Sequence, residues 1–129
     1  MRKVAILLLC IFNFIFLYSA EYSFEQISVK DGLSNATVVG IIQDKNGFLW
    51  FATRNGLNRY NGKNFKVYQN IEGEKESLPE NYLNKLFYDK NDIIWICSQN
   101  GLIKFDIKTG KFLFYTNHDK NKEISSVIS

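Results

Sequence analysis

The chain has 129 residues, of which 46% are hydrophobic, 16% aromatic and 22% charged, and its formal net charge is +3. This length allows at most one ordinary domain, and the composition excludes a disordered tail, a collagen-like fibre and a disulfide scaffold. His118 is the single histidine, which excludes metal sites and chemistry that need two histidines.

The first 20 residues have the pattern of a secretory signal peptide. Arg2 and Lys3 precede an apolar run over 4–18, and the small residues Ser19 and Ala20 follow it. A charged start, a short apolar segment and small residues at the end are the three parts of such a leader. We therefore expect residues 1–20 to direct export and the remainder to be periplasmic or otherwise extracytoplasmic.

Two alternatives remain for this leader. One is an uncleaved membrane anchor, and the other is a lipoprotein modified at Cys10, although Leu9 stands where a small residue is preferred. After residue 20 the chain holds 14 basic and 13 acidic residues, so its charge gives no reason to expect nucleic-acid binding. Cys97 is the one cysteine of that part, so no internal disulfide is expected.

The part after the leader contains a repeat with a period of about 45 residues. In the first unit, strands are predicted over Thr37–Gln43, Phe48–Thr53, Leu57–Tyr60 and Phe65–Gln69. Asp44 can cap the N–H groups of the first turn, and Gly47 supplies the positive φ that the turn needs. Asn55-Gly56 is a strong signal for a two-residue hairpin.

The second unit repeats the landmarks of the first. Asp44, Trp50, Gly56 and Tyr60 return 45 residues later as Asp89, Trp95, Gly101 and Phe105. Asp92 stands where the first unit has Gly47, and aspartate tolerates a positive φ better than most residues. A strand over about 22–29, containing Phe24, resembles the last strand of a unit.

Four antiparallel strands in this period describe one blade of a β-propeller, so the chain is predicted to be all-β. We expect residues 21–129 to form part of a propeller, with a closing strand over about 22–29, blade 1 over about 33–69, blade 2 over about 78–116 and the start of a third blade over about 117–129. Because a propeller needs at least four blades, further blades are expected partners. The recurring aromatic residues are expected to pack between blades.

The pattern from Asp31-Gly32-Leu33-Ser34 through Trp50 to Gly62 resembles the two-component regulator propeller repeat, and 89–115 resembles the next one. The resemblance implies a periplasmic sensor that responds to an oligosaccharide. It also implies a β-sandwich, a transmembrane helix and a histidine-kinase core in a dimeric parent, so this chain is expected to be truncated before the kinase. The alternative is a structural or protein-interaction propeller without signalling output.

No catalytic, metal or cofactor site is predicted. A Ser-His-Asp set would need His118 from an inter-blade loop, and Asp44 and Asp89 occupy the same turn position in successive units, which favours a structural role. The first turn resembles the Asp-box of sialidases, but its aspartate-to-glycine spacing is one residue too long. Only Arg54 and Arg59 are available after the leader, and such enzymes bind a carboxylate with three arginines.

Loops at one end of the blades are the expected place for a ligand. On that basis Arg54, Asn55, Gln99 and Asn100 are the candidate ligand-binding residues, together with the linker 70–80. The alternative is that the two asparagines are only turn residues and that the linker is a solvated loop.

Overall fold

The computed structural model describes residues 1–5, 21–89 and 91–116. Eight strands form two four-stranded antiparallel sheets in the orders β1-β2-β3-β4 and β5-β6-β7-β8. The first sheet contains β1 Val38–Gln43, β2 Leu49–Thr53, β3 Gly56–Tyr60 and β4 Phe65–Tyr68. The second contains β5 Leu83–Asp89, β6 Ile93–Ser98, β7 Gly101–Asp106 and β8 Lys111–Thr116. The predicted all-β fold of four-stranded propeller blades is confirmed.

The turn between β1 and β2 has the predicted chemistry. Asp44 Oδ1 accepts hydrogen bonds from the backbone N–H groups of Asn46 (2.9 Å) and Phe48 (3.1 Å), and Gly47 has φ 86°. The other carboxylate oxygen of Asp44 accepts the indole N–H of Trp50 at 2.9 Å. Asp44 therefore stabilises the turn and also holds the side chain of Trp50 near the start of β2.

The corresponding turn of the second sheet keeps the same backbone with a different residue. Asp92 has φ 65° and is the one described non-glycine residue with a positive φ. This conformation is unfavourable for most side chains but tolerated by aspartate. The predicted replacement of Gly47 by Asp92 in the left-handed region is confirmed.

The hairpins predicted at Asn55-Gly56 and Asn100-Gly101 are formed, with each glycine just after the two-residue loop rather than inside it. The two-residue loops are 54–55 and 99–100, while Gly56 and Gly101 are the first residues of β3 and β7. A Cβ on Gly56 would lie 2.6 Å from the carbonyl oxygen of Tyr68, and one on Gly101 2.2 Å from that of Tyr115. Both glycines are needed because the backbone of the next strand approaches closely, and Gly56 also has φ 115°, which favours glycine. Neither asparagine has the positive φ of an Asn-Gly type I′ turn.

The two sheets stack through aromatic side chains. The Trp50 ring is fully buried and lies 5.8 Å from Tyr68 in its own sheet and 5.6 Å from Phe105 in the other. Phe105 stacks on Phe112 at 4.4 Å, and Tyr68 lies 5.3 Å from Phe105 and 6.0 Å from Phe112. The interface is thus a Trp–Tyr pair of one blade packed against a Phe–Phe pair of the next, and the predicted packing role of these aromatics is confirmed here.

Each sheet carries both kinds of aromatic pair on opposite faces. Trp95 and Tyr115 repeat the Trp–Tyr pair at 6.3 Å, and Tyr60 and Phe65 repeat the Phe–Phe pair at 4.6 Å. Register alternation places these two pairs on the faces that point away from the Trp50 interface. Successive blades can therefore repeat one interface head to tail, as a propeller requires.

Aliphatic side chains complete the interior between the sheets. These side chains are fully buried and form one cluster around the Trp50 interface. The cluster includes Leu57, Leu78, Leu83, Ile94, Ile96 and Ile103. Leu78 comes from the linker between the sheets, so this segment is anchored to the interior rather than being fully solvated.

The segment before β1 packs on the first sheet. Leu33 is buried, the backbone N–H of Ser34 donates to Asn58 Oδ1 at 2.9 Å, and Asn58 Nδ2 donates to Ser34 Oγ at 2.8 Å. The hydroxyls of Ser34 and Thr53 are 2.9 Å apart. These contacts give the Leu33-Ser34 part of the repeat motif a structural role on blade 1.

Residues 21–28 have no regular secondary structure and Val29–Asp31 is a short 3₁₀-helix, so the strand predicted over about 22–29 is not formed within the described residues. Its predicted partner is a final blade outside the two sheets, and that pairing stays a prediction. The start of a third blade at 117–129 and most of the leader, 6–20, lie outside the described residues. The domain boundaries stay predictions as well.

Candidate functional site

The candidate ligand-binding residues lie at one end of the two sheets, which we call the loop end. It consists of the loops 54–55 and 99–100 and the linker 69–82. The linker passes between the two loops, because the N–H of Gly56 donates to the carbonyl of Asn81 at 2.8 Å and the N–H of Gln99 donates to that of Tyr82 at 3.2 Å. The structure thus brings Arg54, Asn55, Gln99 and Asn100 to one end of adjacent blades.

Arg54 connects the two blades at the loop end. Its Nη1 donates to the carbonyl oxygen of Leu83 at 3.1 Å and to Asn84 Oδ1 at 2.5 Å. The guanidinium carbon also lies 4.3 Å from the centroid of the Tyr82 ring. Since these partners are all in the chain, Arg54 holds the linker and β5 in place, and its role in ligand binding stays a prediction.

The asparagine loops are also engaged within the chain. Asn55 accepts a hydrogen bond from Gln69 Nε2 at its carbonyl (2.9 Å), and Asn100 donates its backbone N–H to Glu80 Oε2 (3.2 Å) and its side-chain amide to Glu80 Oε1. Partial burial acts to raise the pKa of Glu80, but hydrogen bonds from Ser98 and Asn100 outweigh it and lower that pKa. These contacts favour the alternative that both asparagines are turn residues with a structural role. Ligand binding by the two asparagines stays a prediction.

The opposite end, which we call the turn end, carries an ion-pair cluster that joins the blades. Asp92 is 3% exposed and its Oδ2 lies 2.5 Å from Lys45 Nζ and 3.2 Å from Lys108 Nζ. The Tyr88 hydroxyl donates to Asp92 Oδ1 at 2.9 Å, and Lys45 donates its backbone N–H to that hydroxyl at 3.3 Å. Blade 1 supplies Lys45 and blade 2 supplies the others, so the cluster fixes how the two turns meet.

This cluster lowers the pKa of Asp92 from 3.8 to about 2, chiefly through the hydrogen bond from Lys45 and against the effect of burial. A carboxylate with a lowered pKa stabilises the folded chain above pH 3.8 and loses that contribution as the pH falls from 3.8 to about 2. We therefore predict that the melting temperatures of wild type and Asp92→Asn differ most near pH 5 and converge near pH 2.

The control for this prediction is Asp89→Asn, which removes a carboxylate of the same blade outside the ion pairs. Thermal melts of the three proteins between pH 2 and 7 provide the measurement. A wild-type advantage over Asp92→Asn that stays constant across this range would contradict the assigned role of the cluster.

The turn end of blade 1 also holds a pocket that the sequence analysis did not identify. Its volume is about 130 Å³, and it is lined by Phe48, Arg59, Asn61, Asn64, Phe65 and Lys66. Arg59 and Lys66 are directly opposite each other on β3 and β4. Two basic residues with nearby asparagines were visible in the sequence, but their pairing depends on the strand register.

The described residues also bear on metal ligands and membrane-spanning helices. Across 1–5, 21–89 and 91–116 no group of three histidine, cysteine, aspartate or glutamate residues is placed to bind a metal ion. Within the same residues, no helix has the length and apolarity required to span a membrane. Asp44 is occupied by its turn and by Trp50, as expected for a structural aspartate, and His118 lies outside the described residues.

Comparison with known proteins agrees with this architecture. Residues 32–55 match the family described as two component regulator propeller. The chain is 34% identical over 82 residues to histidine kinase P4 of Formosa agariphila, a match that covers 60% of this chain and 6% of that protein. The resemblance predicted from the sequence is thus confirmed.

Solved structures of similar fold are extracellular domains of signalling proteins of B. thetaiotaomicron. The extracellular domain of a putative hybrid two-component system is 35% identical with a TM-score of 0.69, covering 81% of this chain and 15% of that one. A second such domain is 26% identical with a TM-score of 0.55, covering 67% and 12%. The chain therefore spans a small part of each relative's length.

Proposed function

We propose that this chain, which carries the two-component regulator propeller repeat, is a ligand-sensing propeller segment of an extracytoplasmic sensor. The observation that carries the proposal is the 35% identity, at a TM-score of 0.69, to the extracellular domain of a putative hybrid two-component system. The similarity to a histidine kinase supports the same signalling context. In this proposal the segment binds the ligand and transmits the binding signal to the rest of the sensor, and it performs no catalysis itself.

The blade interface supports a sensor mechanism. Trp50 and Phe105 join the sheets in the middle, Arg54 joins them at the loop end, and Asp92 joins them at the turn end. In this proposal, neighbouring blades joined at three levels move together as one body. A ligand that binds one arrangement of such bodies more tightly than another shifts the population towards it, and this shift is the signal.

The finer parts of the proposal concern ligand and partners. The ligand is an oligosaccharide that contacts the loop end, and the parent contains further blades, a β-sandwich, a transmembrane helix and a kinase core. The parent acts as a membrane-tethered dimer in the periplasm. The family resemblance and the extracellular relatives support this assignment.

Deletion of the gene in its native host tests the proposed function. Wild type, deletion and complemented strains are grown on a panel of purified polysaccharides, and their transcripts are sequenced. We expect the induction of a defined set of genes to be lost for one polysaccharide and restored by complementation. Unchanged responses to every polysaccharide would contradict the sensor and favour a structural or protein-interaction propeller.

A fusion tests the location separately. Alkaline phosphatase, which is active only after export, is joined behind residue 129, with a version lacking residues 1–20 as the control. Activity that depends on residues 1–20 is expected. An inactive full fusion, produced at the same level as an active control secretory protein, would contradict the extracytoplasmic assignment.

A further inference from the structure

The pocket at the turn end of blade 1 is built around an arginine held against an aromatic ring. The guanidinium carbon of Arg59 lies 3.6 Å from the centroid of the Phe48 ring and 5.6 Å from that of Trp50. A guanidinium that stacks on a ring keeps the donors at its edge available for other partners. Arg59 is thus positioned before any ligand arrives.

The charge of this arginine is not neutralised within the part of the chain that the structure describes. The Arg59 side chain has no ion pair or hydrogen bond to any residue in 1–5, 21–89 or 91–116, and its Nε is buried without a partner. Buried N–H groups normally have an acceptor, because leaving one unpaired costs free energy. The unpaired Nε of Arg59 therefore indicates that an acceptor from a bound ligand is needed.

Lys66 adds a second positive charge beside Arg59. Lys66 lies directly across the strand pair from Arg59, and like charges in directly opposite positions of a sheet destabilise it. No acidic residue lines the pocket. An anion bound between the two side chains would reduce their repulsion and supply the acceptor that Arg59 lacks.

The rest of the lining supplies donors. The Oδ1 of Asn61 accepts the backbone N–H groups of Lys63 (2.9 Å) and Asn64 (2.7 Å), which orients the side-chain amide. With its oxygen engaged, the NH₂ group of Asn61 is the part left to donate. The pocket volume of about 130 Å³ admits a small group with several oxygens.

The second blade shows that this arrangement is not part of the repeat. Lys104 occupies the position equivalent to Arg59, since each pairs with the tryptophan of its own blade. Opposite Lys104 is Leu113, where blade 1 has Lys66. A cation pair that served only blade packing would be expected in both blades, whereas it occurs in one.

We propose that the pocket lined by Phe48, Arg59, Asn61, Asn64 and Lys66 binds a small oxyanion, either a carboxylate or a tetrahedral sulfate or phosphate. Arg59 donates bidentate hydrogen bonds to two oxygens of the anion, and Lys66 adds a second positive charge. The proposal goes beyond the sensing function and does not depend on it, because the site lies at the turn end and not at the loop end.

Titration of the ¹⁵N-labelled full chain tests this site. The probes are sodium sulfate, sodium phosphate and sodium malonate at constant ionic strength, with malonamide as the neutral counterpart of malonate. We expect saturable shifts of the amides of Phe48, Asn61, Asn64 and Lys66 with at least one anion. Saturation with malonate alone identifies a carboxylate site, and saturation with sulfate or phosphate alone identifies a tetrahedral-anion site.

Variants separate specific binding from general attraction. Arg59→Gln and Lys66→Gln are each expected to weaken binding about tenfold or more, whereas Lys104→Gln removes the same charge from blade 2 and leaves binding unchanged. Lys66 is exposed, so its variant carries the test if Arg59→Gln fails to fold. Absence of saturation with all three anions, equal shifts with malonamide, or an equal loss in Lys104→Gln would overturn the proposal.

Discussion

Replacing Trp50 with alanine is expected to destabilise the chain by about 3–5 kcal/mol, the usual cost of removing a large aromatic side chain from a core. The Trp50 ring is fully buried and contacts Phe105 of the second blade. Trp95 occupies the equivalent position but is half-buried and faces no second sheet within the described residues. We expect Trp95→Ala to cost about 1–2 kcal/mol, because it loses little inter-blade burial.

Urea unfolding of wild type, Trp50→Ala and Trp95→Ala provides the measurement, and the two variants control for each other because they make the same change at the same place in the repeat. The difference between them reports the blade interface rather than the loss of a tryptophan as such. Equal destabilisation by both substitutions would contradict the assignment of Trp50 to the inter-blade core.

Replacing Asp44 with alanine is expected to cost about 2–4 kcal/mol. The substitution removes the acceptor for the backbone N–H groups of Asn46 and Phe48 and for the indole N–H of Trp50. The indole is buried, so its N–H pays the full cost of an unmade hydrogen bond. Asp89→Ala is the control, with an expected cost of about 1 kcal/mol, because among the described residues Asp89 accepts a side-chain hydrogen bond only from Asn91.

A double substitution isolates the indole contribution. Trp50→Phe keeps an aromatic ring and lacks the N–H group. Asp44→Ala is therefore expected to cost about 1 kcal/mol less in the Trp50→Phe background than in wild type. Identical costs in the two backgrounds, measured by urea unfolding, would show that the contact between Asp44 and Trp50 does not stabilise the fold.

The strands and turns of the two blades could be predicted from sequence because the physical causes are local. Asp44 and Gly47 act within one turn, and Asp92 keeps the backbone of that turn without a glycine. The repeat also identified Trp50 and Phe105 as aromatic positions that recur in the other blade, as Trp95 and Tyr60. Their recurrence at fixed places in each unit was enough to predict that they pack between blades.

Features that depend on a neighbouring strand or blade could not be predicted in this way. The Asn55-Gly56 pattern predicted the hairpin, but the close approach of the Tyr68 carbonyl to Gly56 comes from another strand and could not be predicted from it. The partners of Asp92 include Lys45 from the other blade, which no local pattern indicates. The placement of Arg59 opposite Lys66 required the register of β3 and β4.

The candidate ligand-binding residues illustrate the same limit. Sequence reasoning placed Arg54 and Asn100 at the ends of hairpins, and the structure brings both to the loop end. Their partners, Asn84 and Glu80, are polar side chains of β5 and the linker. Hydrogen-bonding groups at a loop can serve a ligand or the chain itself, and only the three-dimensional arrangement shows which partners are within reach.

The fold of this chain depends most on the stacking of its two blades through the Trp50 interface. Nuclear Overhauser spectroscopy of the full chain measures it directly through contacts between ring protons. We expect strong cross-peaks between the Trp50 indole and the Phe105 ring, whose centroids are 5.6 Å apart, and between the Tyr68 and Phe112 rings. Cross-strand contacts within both sheets without any cross-peak between Trp50 and Phe105 would contradict it.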